Sequence, residues 1–412
     1  MAVSFLHIAD THVGVETHGR LDPATGLNTR VQDFTRCLDY AFDIAIDRSL
    51  DFVVLAGDAY KTCDPSATHQ RALARCVQRL SSTGIPLVIV VGNHDVPVAF
   101  GKANSVDIFR TLELEGVHVA DSDCVIDIQT ASGLIQIACL PWLHRSHLLA
   151  TEDYKDLKEP EILQHLQQLG SRIIDGLAAQ IDPTHPAILA AHVAVADAVL
   201  SGSEQTAVIG RDPVFLTSTL AQSAFDYVAL GHIHRHQNMN PDASPPVVYS
   251  GSIDRLDFGE EKETKGFCIV SIEQDETDGK KHTTYEFVPT PSRHFSTIRV
   301  DIDNSTDPTR TILNALADHD LKDKIIRVIY RSTDPITLDF PMIRRATEDT
   351  ALVAGIYPDT ERTIRQRRST VTQEMGLKKA LEAYIDNTSR LASLKEDMVS
   401  RALALEAEEL TE

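Results

Sequence analysis

Short apolar runs alternate with amphipathic helical segments through the first 235 residues of the chain. The apolar runs that predict strands are residues 3–9, 52–56, 87–91, 188–191 and 227–230. Residues 30–48 and 67–81 have helical patterns, which predict helices between the first three strands. Because alternating strands and helices are typical of α/β domains, we predict an α/β fold for this part of the chain.

The next two apolar segments indicate antiparallel strands at the end of this unit. Residues 264–272 and 283–288 are the predicted strands, and the polar segment 274–281 is the predicted hairpin loop between them. The loop contains Asp278 and Gly279, a pair of residues that favours a tight turn.

The pattern changes around the prolines at 289–291. Two further predicted strands, residues 298–302 and 325–330, flank a predicted helix at 308–319. This second, shorter alternation indicates a small separate α/β module.

After Pro358 the chain loses its strand signals. Residues 360–412 have a helical composition and a single glycine, Gly376, which predicts two helices joined by a break. Their apolar content is too low for an independent domain, so we expect an apolar stripe of this tail to dock on another surface. The predicted units are therefore 1–291, 292–358 and 359–412.

Composition and charge exclude several classes of protein. Apolar residues make up 42% and charged residues 24% of the 412 residues, which excludes a largely disordered or fibrous chain. The net charge of −21 argues against a protein that coats nucleic acid by bulk electrostatics. No apolar run approaches the roughly 20 residues of a membrane helix, and the first residues do not resemble a signal peptide. Six cysteines without a CxxC pair indicate free thiols, so we predict a cytoplasmic protein.

Five of the predicted strands are followed by side chains that can bind metals. In open α/β sheets the carboxyl ends of the strands meet at one edge, where ligands bind. The side chains that follow these strands are Asp10, His12, Asp58, Asn93, His192, His232 and His234.

These residue types predict a metal centre. Carboxylate and amide oxygens mixed with imidazole nitrogens suit Mn²⁺, Fe²⁺ or Zn²⁺, and seven ligands exceed what one ion takes from a protein. Two ions that share a bridging carboxylate would use all seven. A glycine precedes Asp58, Asn93 and His232, which lets the backbone turn sharply close to the metals. Taken singly, each of these residues could have an ordinary structural role, such as a helix cap or a turn. Their occurrence after successive predicted strands, in this order, favours a metal-binding role for the set.

The ordered motifs DxH, GD, GNHD, H and GHxH resemble the calcineurin-like metallophosphoesterase superfamily over residues 1 to about 290. Within it, the segments 4–14, 227–235 and 249–261 resemble the SbcD-type nuclease subunits of bacterial SbcCD complexes. The last hundred residues resemble these subunits only in the order of their predicted units, a small module followed by a helical tail. The fold that this resemblance implies is a metallophosphoesterase β-sandwich flanked by helices, with a small α/β capping domain and a helical C-terminal tail.

The resemblance also implies how the metals are held. One metal would be bound by Asp10, His12, Asp58 and His234, and the other by Asp58, Asn93, His192 and His232, with Asp58 bridging. The two divalent ions that the resemblance favours most are Mn²⁺, and the alternatives are Mg²⁺, Fe²⁺ and Zn²⁺. Two cations roughly 3.5–4 Å apart can clamp a phosphodiester and lower the pKa of a water between them.

Three further residues are candidates for roles beside the metals. His94 lies next to Asn93 and could donate a proton to the leaving oxygen as the catalytic residue. Asp95 could orient His94, or it could cap a turn. Lys61 stands where relatives often carry a histidine, three residues after the bridging aspartate, and could contact a phosphate or lie in a solvated loop. His7, inside the first strand, is predicted to be a packed core histidine.

The function that these observations predict is a metal-dependent DNA nuclease subunit. The resemblance implies a 3′→5′ double-strand exonuclease with single-strand or hairpin endonuclease activity in DNA repair and recombination. It also implies a homodimer that uses residues 67–81, and a partner, an SbcC-like coiled-coil ATPase, that receives the tail. A basic stretch at 362–379 could contact DNA or an acidic partner. A loop with His144, Arg145 and His147 could also contact DNA, but we expect it to be a solvated loop. The alternatives are a small-molecule or cyclic-nucleotide phosphodiesterase and a non-catalytic scaffold.

Overall fold

Two six-stranded mixed sheets form the centre of the protein, seen here in a computed structural model. The structure describes residues 2–97, 102–144, 158–202, 212–275, 279–303, 307–333, 335–359, 395 and 398–402. Side chains from both sheets meet in a buried apolar layer that includes Phe5, Val54, Ile188 and Val270. The predicted α/β sandwich flanked by helices is therefore confirmed.

The first sheet has the strand order β14-β13-β1-β2-β3-β4. Its strands are β1 (Ala2–Ile8), β2 (Phe52–Ala56), β3 (Leu87–Val90), β4 (Val117–Ala120), β13 (Gly266–Gln274) and β14 (Lys281–Pro289). Strands β1 to β4 are parallel, whereas β13 pairs antiparallel with β1 and β14. The first three strands and the β13–β14 hairpin were predicted within two residues; Asp278 of its loop lies outside the described residues.

Two amphipathic helices cover the outer face of the first sheet. Helix α1 (Thr29–Asp47) starts after Asn28, whose side chain accepts a hydrogen bond from the Arg30 backbone N–H. Helix α2 (Ala67–Ser81) starts after Ser66, which accepts from the His69 N–H in the same way. These caps satisfy backbone donors that the first helical turn leaves unpaired. A short helix, α3 (Asp107–Thr111), precedes β4.

The second sheet has the order β11-β12-β10-β7-β6-β5. Its strands are β5 (Cys124–Thr130), β6 (Gly133–Leu140), β7 (Ala187–His192), β10 (Tyr227–Gly231), β11 (Gln237–Asn238) and β12 (Val247–Tyr249). Helix α4 (Glu159–Ala178) packs on its outer face with the short helix α5 (Thr217–Leu220) and a two-stranded sheet of β8 (Ala194–Val195) and β9 (Val214–Phe215). Only β7 and β10 of this sheet were predicted from the sequence.

The small module after residue 291 contains a parallel sheet in the order β15-β16-β17. Its elements are β15 (Phe295–Asp301), α6 (Pro308–Ala317), β16 (Ile325–Arg331), α7 (Phe340–Ala346) and β17 (Leu352–Pro358). We call residues 292–358 the cap module. The sequence predicted β15, α6 and β16 but not α7 or β17.

The cap module contacts the larger unit through a partly buried ion pair and an aromatic cluster. Arg293 donates two hydrogen bonds to the Asp33 carboxylate in α1, at 2.7 and 2.5 Å. Phe258, in a short 3-10 helix (Phe258–Glu260), packs against Phe295 and Ile325 of the cap module. The division into units 1–291, 292–358 and 359–412 stays a prediction.

Most of the predicted helical tail, with its basic stretch, lies outside the described residues. Among the helices that the structure does describe, none is both long enough and apolar enough to cross a bilayer.

Candidate metal centre

The seven predicted ligand residues lie together at one rim of the β-sandwich. The first sheet contributes Asp10 and His12 after β1, Asp58 after β2 and Asn93 after β3, whereas the second contributes His192 at the end of β7 and His232 and His234 after β10. The carboxyl ends of parallel strands β1, β2 and β3 meet those of β7 and β10 across the sandwich. The site is therefore built from both sheets.

One group of these side chains surrounds His12. The His12 Nε2 atom lies 3.0 Å from His234 Nε2 and 3.7 Å from Asp58 Oδ2. Ligand atoms of Asp10, His12 and His234 all lie within 4.8 Å of one another. Both Asp10 carboxylate oxygens accept from the His232 backbone N–H at 3.1 Å, which ties the ends of β1 and β10 together.

A second group surrounds Asn93. Its Oδ1 atom lies 2.9 Å from His192 Nε2 and 3.0 Å from His232 Nδ1. The other carboxylate oxygen of Asp58, Oδ1, lies 3.5 Å from His192 Nε2. Asp58 therefore stands between the two groups, with one oxygen directed at each, which is the geometry of a bridging carboxylate.

The protonation of the rings fits a cation at this centre. The Nδ1 atom of His192 donates to the Ala56 carbonyl at 2.8 Å, and the Nδ1 atom of His234 donates to the Glu260 carboxylate at 2.8 Å. In neutral rings the Nε2 lone pairs then point at the centre, where they meet other acceptors such as Asn93 Oδ1. Lone pairs that converge in this way can be satisfied by a bound cation or by a proton on one of the rings.

The backbone of the ligands is held in left-handed conformations. Asp10, His12, Asp58 and His232 have φ values of 52°, 38°, 54° and 99°. Non-glycine residues adopt this region at a cost of order 1–3 kcal/mol, usually at functional sites.

The glycine before Asp58 is needed for close packing. A Cβ atom on Gly57, whose φ is 93°, would lie 2.0 Å from His192 Nδ1. A Cβ atom on Gly92 would lie 2.2 Å from Asp58 Oδ1, and one on Gly231 would lie 1.9 Å from the Ala56 carbonyl oxygen. These glycines therefore allow close approach between the ligand residues and the backbone, whereas their expected closeness to metals stays a prediction.

Electrostatic coupling within the centre is strong. Burial raises the pKa of Asp10 to about 6. Burial opposes ionisation of Asp58 too, but His192, followed by His12 and His94, holds its pKa well below the usual range. Burial likewise disfavours the charged form of His192, yet the carboxylates of Asp58 and Asp10 raise its pKa to about 9. In the absence of a cation the centre thus retains a proton on His192, and bound metal would displace it.

His94 is the ring beside the centre that is most accessible to solvent, with 36% of its side chain exposed. Its backbone N–H donates to Asp58 Oδ1 at 2.8 Å, and its Nδ1 atom donates to the Lys61 carbonyl at 2.9 Å. The Nε2 atom then faces the centre, 4.0 Å from Asp58 Oδ2. Burial lowers the pKa of His94 although Asp58 opposes the shift, so the ring readily gives up a proton.

The expectation that Asp95 orients His94 is wrong. The Asp95 carboxylate is fully buried and accepts from the backbone N–H groups of Ala59, Tyr60 and Gly92 and from Ser105 Oγ. It therefore ties together the loops after β2 and β3, which confirms the alternative of a turn cap.

The Lys61 carbonyl orients His94 instead. The charge of the Lys61 side chain is close enough to contribute to lowering the pKa of both His12 and His94, after the larger effect of burial.

Sequence reasoning missed three residues that contact the ligand rings. Asp212 Oδ2 lies 3.2 Å from His232 Nε2, and the Trp142 ring packs over His232 with centroids 5.0 Å apart. Glu260 accepts from His234 and is itself fully buried. Burial opposes its ionisation, but Lys265 and His234 lower the pKa of Glu260 to about 2. Glu260 belongs to the segment 249–261 that carried the resemblance, the one signal that could have identified it.

Comparison with known proteins agrees with this geometry. The family model for calcineurin-like phosphoesterases matches residues 3–236. The SbcD component of the nuclease SbcCD from Bacillus subtilis (strain 168) is 27% identical over 273 residues, which cover 66% of this chain and 66% of that protein. The chain thus spans just under two thirds of the length of this relative.

Solved structures show weaker similarity. A 5'-nucleotidase precursor from Thermus thermophilus is 13% identical, with a TM-score of 0.38 over 71% of this chain and 55% of that one. A dimetal phosphatase from Danio rerio is 11% identical, with a TM-score of 0.39 over 68% of this chain and 98% of that one. TM-scores below 0.5 indicate only a distant likeness. Because the family model covers more than half of the chain and ends just after the last predicted ligand, this protein belongs to the calcineurin-like phosphoesterase family.

Proposed function

We propose that this phosphoesterase is a nuclease that hydrolyses the phosphodiester bonds of DNA with two divalent ions. The observation that carries the proposal is the convergence of side chains from both sheets around Asp58, whose two oxygens face different groups of rings. The similarity to a nuclease component supports a nucleic acid as the substrate class, and we propose DNA.

The ligand sets follow the two groups of side chains. Asp10, His12, Asp58 and His234 would hold one ion, and Asp58, Asn93, His192 and His232 the other, with Mn²⁺ as the preferred metal. When bound, the two ions supply charge neutralisation at the scissile phosphate and an activated water. The chain's own residues contribute orientation: Asp58 fixes the spacing of the two groups, and Asn93 holds His192 and His232 at one oxygen.

His94 is the proposed catalytic residue. Its Nδ1 proton is held by the Lys61 carbonyl, so the exposed edge with Nε2 faces the position of the substrate. A proton carried on Nε2 can pass to the leaving oxygen as the phosphodiester bond breaks. The lowered pKa of the ring favours this transfer.

We further propose the setting in which this nuclease works. The chain would act as a 3′→5′ exonuclease and hairpin endonuclease in the cytoplasm, in a DNA repair complex with an SbcC-like coiled-coil ATPase. Helix α2 would contribute to a homodimer interface, and the cap module would select DNA shape. All six cysteines are free, which agrees with a reducing compartment.

The test uses three substrates with the full chain and Mn²⁺: linear duplex DNA, hairpin DNA and bis-p-nitrophenyl phosphate. We expect degradation from duplex ends and opening of the hairpin. An Asp58→Asn variant purified in parallel should lose these activities, which excludes a contaminating nuclease.

Two outcomes would contradict the proposal. Hydrolysis of the small ester without any cleavage of DNA would favour a small-molecule or cyclic-nucleotide phosphodiesterase. Equal DNA cleavage by the Asp58→Asn variant would mean that the activity belongs to another protein.

A further inference from the structure

A fully buried ion pair lies directly behind the metal centre and outside its ligand set. Glu260 and Lys265 are 0% and 1% exposed, and Glu260 Oε2 lies 2.9 Å from Lys265 Nζ. A buried charge pair is costly to maintain unless its geometry is fixed by further hydrogen bonds. Both members of this pair form hydrogen bonds with His234, one of the proposed metal ligands.

The two oxygens of Glu260 have different partners. Oε2 accepts from the Lys265 ammonium and from the Leu256 backbone N–H, both at 2.9 Å. Oε1 accepts from His234 Nδ1 at 2.8 Å. Because a carboxylate without a proton can only accept, the hydrogen between Glu260 and His234 must sit on the ring.

Lys265 holds the same histidine from the other side. Its Nζ atom donates to the His234 backbone carbonyl at 2.9 Å and to Glu263 Oε2 at 2.8 Å. The lysine therefore fixes the main chain of His234, while Glu260 fixes its ring.

We infer that Glu260 is a positioning residue, which holds the proton of His234 on Nδ1 and so keeps the Nε2 lone pair directed at one of the two metal positions. The inference rests on the proposed two-metal function and adds a residue to it. Ligating histidines in general need such a partner, whose loss weakens metal binding about 10–100-fold.

The local fold keeps Glu260 in place. The Asp257 side chain accepts from the Gly259 N–H and caps the 3-10 helix that carries Glu260. The next residue, Glu261, accepts from the backbone N–H of Thr297 in β15 at 2.8 Å and from its hydroxyl at 2.5 Å. The positioning carboxylate is thus clamped between the metal centre and the cap module.

A Glu260→Gln variant tests the inference because an amide has only one acceptor oxygen. Lys265 and Leu256 both donate on the Oε2 side, so the amide oxygen should take that place and the NH₂ group should face His234 Nδ1. The ring must then accept at Nδ1 and carry its proton on Nε2, which blocks the lone pair that binds metal.

The measurement is calorimetric titration of the metal-free full chain with Mn²⁺. We expect two ions in the unaltered protein, and in Glu260→Gln one ion of unchanged affinity and one bound at least tenfold more weakly. Glu263→Gln is the matched control, because Glu263 pairs with the same lysine, and it should bind both ions normally.

Each outcome bears on the inference. Unchanged affinity for both ions in a folded Glu260→Gln protein would overturn it alone. An unaltered chain that binds no divalent ion would overturn the proposed function as well. If Glu260→Gln does not fold, a crystal structure of the unaltered chain with Mn²⁺ decides: His234 bound through Nε2 with Glu260 on Nδ1 supports the inference, and His234 bound through Nδ1 contradicts it.

Discussion

His94 differs from the other rings at the centre because it is the one that solvent reaches most easily. It is also oriented by a backbone carbonyl, at Lys61, and not by a carboxylate. A ring of this kind can meet a substrate without being needed to bind metal.

Replacement of His94 by alanine should therefore separate catalysis from metal binding. We expect kcat for DNA cleavage to fall by about 10²–10⁴, the usual contribution of a proton donor, while Mn²⁺ affinity changes little. Steady-state kinetics and calorimetry on the same preparation would measure both. His118→Ala, on β4, is the control and should leave both quantities unchanged. DNA cleavage that survives in His94→Ala would remove His94 from the mechanism.

His7 shows what burial does to an imidazole without a charged partner. It lies in the apolar layer between the sheets, with Nδ1 3.1 Å from the Tyr227 hydroxyl and Nε2 3.1 Å from the Leu230 carbonyl. Burial lowers the pKa of His7 to about 3.

Acid should therefore destabilise the fold partly through His7. In the unfolded chain the ring takes up a proton near pH 6.5, whereas in the folded chain it stays neutral down to about pH 3. Stability is complete above pH 6.5 and falls by about 1.4 kcal/mol per pH unit as the pH drops from 6.5 towards 3. Urea unfolding at several pH values should show a flatter dependence for His7→Gln, whereas His282→Gln, at an exposed position on β14, should keep the original slope. Identical slopes for all three proteins would contradict this assignment.

At the residue scale the ligands could be predicted, but their supporting contacts could not. Asp10, Asn93 and His192 each follow an apolar run, and strand ends converge in an α/β sheet whatever the loops between them. Glu260 is 26 residues away from His234, and apart from its place in the segment 249–261 that carries the resemblance, the sequence does not indicate that they meet. The sequence left two roles open for Asp95 because it neighbours His94, and only the structure shows that its carboxylate turns inward to backbone donors.

At the scale of elements, a strong apolar periodicity predicted helices and strands correctly, whereas elements with a weak or interrupted apolar pattern were missed. Helices α1 and α2 have long apolar faces and side-chain caps, and both were predicted within one residue. Strand β17 was missed because Gly355 interrupts its apolar run and Pro358 ends it, and both residues are depleted in strands. The hairpin β5–β6 was missed because β5, at the edge of its sheet, is largely half-exposed and mixes polar with apolar residues.

The junction between α1 and the cap module depends on one carboxylate. Asp33 is 1% exposed and pairs with Arg30 at 2.8 Å, Arg36 at 3.0 Å and Arg293 at 2.5 Å. Removal of its charge would take one of two carboxylate partners from the fully buried Arg30, whose other partner is Asp254 at 3.3 Å, and would break the ion pair with Arg293.

Asp33→Asn should therefore lower the free energy of unfolding by about 3 kcal/mol. Asp39→Asn is the control, because Asp39 pairs with Arg79 at the surface with 44% of its side chain exposed, and should cost less than about 1 kcal/mol. Chemical denaturation of the two variants gives both values. An equal loss in both would mean that burial of the Asp33 cluster contributes nothing.

At the scale of the whole molecule, the metal centre joins the two sheets. Asp10, Asp58 and Asn93 come from the first sheet, and His192 and His232 from the second. Any ion bound between them connects both halves of the sandwich. Without such an ion, the buried carboxylates of Asp10 and Asp58 lie at this rim beside the imidazole lone pairs. Only protons can then compensate their negative charge.

Metal removal should therefore lower the thermal stability of the whole larger unit. At an Mn²⁺ concentration 100-fold above the dissociation constant, each site adds about 2.7 kcal/mol to the free energy of unfolding. Scanning calorimetry before and after chelation should show a fall in Tm of several degrees, and re-addition of Mn²⁺ should restore it. Asp58→Asn should show a much smaller response. If the Tm of the unaltered chain does not change when Mn²⁺ is removed or added, ions do not bind at this rim.

The order of the ligands along the chain also decides when the centre can form during synthesis. The first ligand is residue 10 and the last is residue 234, with Glu260 further on. A ribosome must deliver more than half of the chain before all these side chains can meet, and the strands that carry them must first pair within both sheets. Chains that end before residue 234 consequently lack part of the ligand set, so the complete centre can form only after most of the larger unit has been synthesised.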